Sequence, residues 1–310
     1  MKFVMAGAGG VGGYIGARLA LAGHELAWLA RGRTLAALRE RGLLLESPPG
    51  EVRLGPQRAS DNATALAAEF GPADVLIVTV KLYDLAALAP RLAPLAGHGT
   101  LVLPLQNGVE AHSILCGALP SATVLKGTVS IKSFVRAPGE IVCKSNFCKI
   151  RIGGGAGLEV DTLVAALDGC KALTAVYSSD IDLDLWSKFV MLSSFSAVSC
   201  MARATIGQVL ADASARGLLV VAAREAAAVG RALGVPLPED IAGLVDLHTR
   251  DMPKTGRPSM LEDLEAGRPL ELDFLSGAVV RLGATAGVPT PIHAAAYRTL
   301  AKHLNGAPRL

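Results

Sequence analysis

The chain has 310 residues, is 51% hydrophobic and carries a formal charge of +3. That length allows two domains with sizeable cores, and the near balance of charge excludes a nucleic-acid-binding stripe or a polybasic membrane patch. Five cysteines, Cys116, Cys143, Cys148, Cys170 and Cys200, form no C-x-x-C pair and no metal-ligand spacing, so they read as thiols of a reducing compartment with no metal expected.

An apolar strand over residues 2–6 runs straight into Gly7-x-Gly9-x-x-Gly12, and the glycines open an amphipathic helix over residues 11–22. This is the phosphate-gripping turn of a dinucleotide-binding βαβ unit. The first glycine allows a sharp turn, the second a close approach of backbone to pyrophosphate, and the third close packing of helix on strand. The free N–H groups at the helix start then face the anion. Gly7, Gly9, Gly10, Val11 and Gly12 are therefore the candidate cofactor-binding residues. A flavin or methyltransferase version of the same turn, or a turn without a ligand, is the alternative here. An N-terminus that starts as a strand does not read as a signal peptide.

Further strands are predicted at residues 25–30, 74–80 and 100–105, with helices at 34–41, 62–70 and 83–96. That alternation predicts parallel strands with crossover helices, a doubly wound sheet of Rossmann type. Residues 122–152 read as strands alone, with a turn at Pro138-Gly139, and are expected to extend the same sheet. The glycine-rich run from Gly153 to Gly157 is read as a joint, followed by a helix at 160–170 and a strand at 172–177.

After Ser178 the strand signals stop. Asp180, Asp182 and Asp184 crowd the start of a long apolar helix, as the helix dipole favours. Its most apolar stretch, residues 189–202, is shorter than a bilayer requires and contains Ser193, Ser194, Ser196 and Ser199, so it reads as a buried helix of a cytoplasmic protein. Helices are expected at 213–233, 239–250, 259–266, 269–286 and 292–304. The alanine-rich segment 218–233 suits either a homodimer surface or its own domain's core. The division is a Rossmann-type α/β domain over residues 1–178 and an all-α domain over residues 179–310, with the cleft between such domains the default active site.

The second strand ends in Arg31-Gly32-Arg33. An NAD site wants an acid there for the ribose 2′-hydroxyl, whereas an arginine forks onto a 2′-phosphate. Arg31 therefore favours NADPH; the plainer reading is a pair of solvated surface arginines. Lys81 and Asn107-Gly108 each follow a strand, where ligands of open α/β sheets sit. Lys188 lies inside the apolar run Leu185-Trp-Ser-Lys188-Phe-Val-Met-Leu192, and Ser259, Glu262, Glu271 and Asp273 surround two predicted helix starts. Each has an ordinary alternative. Lys81 fits a solvated strand end and Asn107-Gly108 any turn. Lys188 fits an i,i+4 pair with Asp184, Ser259 a capping box with Glu262, and Glu271 an acid-favouring first turn.

Taken together, the glycine turn, Lys81, Asn107-Gly108, Leu185-Trp-x-Lys188, Ser259-Met-Leu-x-Asp-Leu, Glu271-Leu-Asp273 and Gly287-Val-Pro-Thr-Pro291 resemble the ketopantoate reductases (2-dehydropantoate 2-reductases) over almost the whole chain. The resemblance implies hydride transfer from NADPH to the C2 carbonyl of a branched 2-oxo acid. It implies Lys188 as proton donor and Glu271 on the cofactor ribose, ordering the site. Ser259 would hold the substrate carboxylate, Asn107 would touch nicotinamide and substrate, and Arg31 and Lys81 would lie on the cofactor. At positions where the best-known family sites carry asparagines, this chain has Leu192, Ser196 and Ile206. Ser196 is the substrate-side candidate among them. A reductase of a different oxo compound, and an NADPH-binding sensor without turnover, are the other readings; a proton donor is of no use to a sensor.

Overall fold

The computed structural model describes residues 1–307, which fall into two compact units. The first comprises Met1–Gln106 and Ala111–Ile181; the second comprises Asn107–Glu110 and the described residues from Asp182 onward.

The first unit runs β1 (Lys2–Ala6), α1 (Gly10–Leu21), β2 (Glu25–Leu29), α2 (Gly32–Glu40), β3 (Leu43–Glu46), β4 (Val52–Leu54) and β5 (Ala59–Ser60). It continues through α3 (Ala63–Phe70), β6 (Val75–Val78), α4 (Leu82–Leu88), β7 (Leu101–Pro104), α5 (Ala111–Ala118) and β8 (Thr123–Val124). It closes with β9 (Lys126–Ser130), β10 (Ser133–Ala137), β11 (Glu140–Cys143), β12 (Lys149–Gly153), α6 (Leu158–Asp168) and β13 (Thr174–Tyr177). The main sheet is wholly parallel, in the order β5-β2-β1-β6-β7-β8. β6 and β7 are buried along their whole length, as apolar strands covered on both faces must be. The strand order reverses between β1 and β6, and ligands of doubly wound folds bind at that reversal.

The strands after β8 do not extend this sheet, contrary to the sequence expectation. β9, β12 and β13 form a separate three-stranded sheet, and β10-β11-β3-β4 a four-stranded one. The β10–β11 hairpin turns at Pro138-Gly139 and β11 then pairs with β3, far away in sequence. A short strand such as β3 takes its pairing with β11 from tertiary structure, which a local pattern does not show. α1 lies between two sheets: a Cβ on Gly16 would come within 2.2 Å of Trp28 of β2, and one on Gly13 within 2.5 Å of Ile141 of β11. The helix predicted at 83–96 ends early as α4 and continues as a 3-10 turn over Ala89–Leu95, where Pro90 and Pro94 lack the N–H an α-helix needs.

The second unit contains α7 (Ile181–Ala202), α8 (Ile206–Ala211), α9 (Ala213–Ala232), α10 (Ile241–Thr249), α11 (Ser259–Glu265), α12 (Ser276–Ala286) and α13 (Pro291–Leu300). α8 was hidden by its length, although Thr205 and Gln208 form the capping box that starts it. The helix predicted at 269–286 is broken: Glu271–Phe274 is a 3-10 turn and α12 begins at Ser276. α7 is long and apolar enough to cross a membrane, yet 67% of its most apolar window is buried within the protein. Phe189, Val190 and Val198 of α7 pack with Ala222, Ala223, Ala226 and Ala227 of α9 in one core. The small side chains of α9 therefore serve its own unit, while Leu218 and Val221 are exposed.

Candidate active site

The glycine turn sits where β1 meets the reversal of strand order. Gly7 has φ +109, in the region that favours glycine. A Cβ on Gly12 would fall 2.1 Å from the Gly7 carbonyl oxygen and 2.3 Å from Thr79 Oγ1, whereas one on Gly9 would meet nothing within 4 Å. Gly12 thus lets α1 close on the turn, and Gly9 leaves open space before it. Thr79, just past β6, donates its hydroxyl to the Gly7 carbonyl at 3.0 Å and ties the two strand ends together. Ser133, at the start of β10, lies over the helix start: a Cβ on Gly10 would come 2.5 Å from its carbonyl oxygen. Sequence reading missed both Thr79 and Ser133, because neither belongs to a motif. Val11 follows Gly10 in the first turn of α1 and is half-buried. These features fit a dinucleotide pyrophosphate: an open turn, a sharp backbone and free helix N–H groups.

Arg31 caps the start of α2 at the tip of β2, with its side chain 79% exposed, and pairs with Asp84 at 2.7 Å. Asp84 lies in the first turn of α4, and Lys81 is the residue that precedes that helix. Arg31, Asp84 and Lys81 therefore form one group at the ends of β2 and β6. Arg31 is an exposed arginine whose acidic partner lies 53 residues on in the chain.

Within the second unit, Lys188 of α7 is half-buried and donates from Nζ to Asn107 Oδ1 at 3.1 Å. Burial lowers its ammonium from the usual range to about 8, and the Glu271 carboxylate works in the opposite direction. Glu271 is 3% exposed at the start of the 3-10 turn. Two residues on, Asp273 accepts from the Tyr297 hydroxyl at 2.6 Å. The Lys188 ammonium thus meets an amide oxygen and the field of a buried acid. The structure joins Asn107, Lys188 and Glu271, three residues spread over more than half the chain.

Ser259 is the first residue of α11 and is exposed; the helix is preceded by Pro258 and has no side-chain cap, so its hydroxyl is not used as the start of a capping box. Ser196 is 0% exposed and its hydroxyl has no partner, so the structure does not bring it to an accessible surface. It lies two helical turns beyond Lys188 on the same stripe, with the half-buried Leu192 between them. Ile206 is buried at the start of α8. Gln106, next to Asn107, is buried with neither amide atom paired. Among the described residues no group of His, Cys, Asp or Glu is arranged to hold a metal ion.

Chemically, the arrangement holds a proton on a nitrogen whose charge is only moderately favoured, beside groups that orient it. Such a group protonates an oxygen on which negative charge develops.

Comparison with known proteins gives the same outline. Residues 3–156 match the family model "Ketopantoate reductase PanE/ApbA" and residues 180–304 match "Ketopantoate reductase PanE/ApbA C terminal". The 2-dehydropantoate 2-reductase of Mesorhizobium japonicum is 33% identical, with 94% of each chain covered. The crystal structure of a PanE/ApbA family ketopantoate reductase from Ralstonia eutropha superimposes with a TM-score of 0.88 at 28% identity, covering 98% of each chain. A D-mandelate dehydrogenase solved with NADH and anilino(oxo)acetate shares the fold at a TM-score of 0.88 and 21% identity, again over 98% of each chain. The glycine turn, the buried lysine and the full-length matches together show that this chain belongs to the ketopantoate reductase family and is an oxidoreductase of the dinucleotide-binding kind.

Proposed function

We propose that the protein reduces 2-dehydropantoate to (R)-pantoate with NADPH, a step of pantothenate biosynthesis, and that Lys188 is the proton donor. The observation that carries this reading is the Lys188 ammonium, lowered to about 8 by burial and hydrogen-bonded to Asn107. NADPH, when bound, supplies the hydride that attacks the C2 carbonyl. Gly7, Gly9, Gly10, Val11 and Gly12 would receive its pyrophosphate and Arg31 and Lys81 its 2′-phosphate end, while Glu271 and Asn107 would meet the ribose and nicotinamide. On the substrate side, Ser259 would bind the carboxylate, and Lys188 would hold the carbonyl oxygen and hand it a proton from Nζ. Ser196, fully buried, is left out of the substrate contacts. The five free cysteines suit a cytoplasmic enzyme, and no nucleic acid or membrane enters the reading.

A second reading is an NADPH-dependent reductase of a more apolar 2-oxo acid. Leu192 and Ile206 favour it, because neither donates a hydrogen bond to a hydroxylated substrate, and each polar substrate group left unpaired on burial costs about 1–3 kcal/mol. Steady-state oxidation of NADPH against a panel of 2-oxo acids separates the two. The first reading predicts the highest kcat/KM for 2-dehydropantoate; a clear preference for an unhydroxylated branched or aromatic acid selects the second, and no turnover with any member rejects both.

A further inference from the structure

Asn107 and Glu271 bear on Lys188 from short segments outside the long helices. Asn107 belongs to a four-residue stretch, Asn107–Glu110, that joins the helical unit although the chain on either side belongs to the other. Glu271 opens a 3-10 turn of four residues. Side chains of α12 and α13 brace both segments. Arg281 Nη2 of α12 pairs with Glu110, at 2.9 Å to Oε2 and 3.2 Å to Oε1, while Val109 packs against the helical core. Tyr297 of α13 donates to Asp273 at 2.6 Å. Both side chains lie beside Gly277, where a Cβ would come 3.0 Å from Tyr297 Cε2 and 3.1 Å from Arg281 Nη1, and Arg281 acts electrostatically on the Tyr297 hydroxyl. A line of neighbours therefore runs Glu110–Arg281–Tyr297–Asp273 and ends within three residues of Asn107 on one side and two of Glu271 on the other.

We propose that Arg281 and Tyr297 are a positioning pair for the reaction, which together hold Asn107 and Glu271 in register around Lys188. This rests on the proton-donor reading of Lys188. Each acts on Lys188 through a neighbour. An ion pair as exposed as Arg281–Glu110, at 49% and 26%, contributes little to stability, so geometry rather than folding is what it supplies. An error of about 1 Å at a reacting group is enough to slow an enzyme severely.

The pH dependence of Lys188 acetylation by acetic anhydride, read by mass spectrometry, tests this without turnover. Glu271 is the charged group known to face Lys188, and loss of either Glu271 or the Asn107 oxygen disfavours its charge. Arg281→Met and Tyr297→Phe are each expected to move the Lys188 midpoint down by about half a unit. Each should lower kcat for the best 2-oxo acid about tenfold, with the thermal midpoint little changed. Arg281→Lys, which keeps the charge, should recover most of the shift. Unmoved midpoints in both variants overturn the proposal even if kcat falls, because the side chains would then be merely structural. If Lys188→Ala still turns over the acid, the proton-donor reading fails on its own, and the acetylation midpoints still decide whether the pair positions Asn107 and Glu271.

Discussion

Lys188 carries its charge at a disadvantage, because burial removes water from the ammonium faster than Glu271 and Asn107 replace it. An acid near 8 is protonated at neutral pH yet close enough to its midpoint to give the proton up and regain it. For the free enzyme, the rate profile should fall as pH rises through Lys188's midpoint. Arg31 presents a different balance. Its pair with Asp84 is exposed and short, and such pairs contribute only about 0–1 kcal/mol; a 2′-phosphate is the stronger partner for the guanidinium. Arg31→Asp should therefore weaken NADPH about 10- to 100-fold and leave NADH almost unaffected, as read by quenching of protein or cofactor fluorescence. Equal losses for both cofactors would remove Arg31 from the 2′-phosphate.

At the scale of elements, α13 is anchored by buried polar groups rather than by apolar packing alone. Glu225 of α9 is 7% exposed and accepts the N–H groups of Ile292 at 2.8 Å and His293 at 3.1 Å, occupying the helix start. His293 is fully buried; its Nε2–H donates to the Ala222 carbonyl at 3.1 Å and Nδ1 faces the Ser276 hydroxyl at 3.3 Å. Burial pushes His293 down to about 4, so between pH 6.5 and 4 the unfolded chain binds the extra proton and stability falls as pH falls. The full effect is about 3 kcal/mol. Glu225, raised by burial, offsets part of it at the acid end. Urea midpoints should drop across that window in the wild type and drop less in His293→Gln; parallel slopes would show that His293 does not govern it. None of this was visible in the sequence, where His293 and Glu225 lie 68 residues apart and neither sits in a motif.

Across the whole molecule, legibility followed the range of the interaction. The central strands could be read because residues buried on both faces give continuous apolar runs, as in Val75–Val78 and Leu101–Pro104. The glycine turn could be read because its constraints are local: Gly12 faces Gly7 five residues back. β3 could not, since its partner β11 lies some ninety residues on. The break before α12 escaped notice for a similar reason. The Leu270 N–H donates to the Leu304 carbonyl at 3.0 Å, a tertiary bond that favours the short turn carrying Glu271 over a continuous helix. Of the site itself, Lys188, Asn107 and Glu271 were named from order and context, while Asp84, Thr79, Arg281 and Tyr297 came only with coordinates. Side chains that do chemistry recur in motifs; side chains that hold them in place are chosen by the surrounding packing.

The proton-donor role of Lys188 is tested most directly by turnover of Lys188→Ala with NADPH and the best 2-oxo acid of the panel. The expected result is a loss of about 10²–10⁴-fold in kcat, with NADPH still bound as tightly as by the wild type. Near wild-type turnover in that variant would contradict the account.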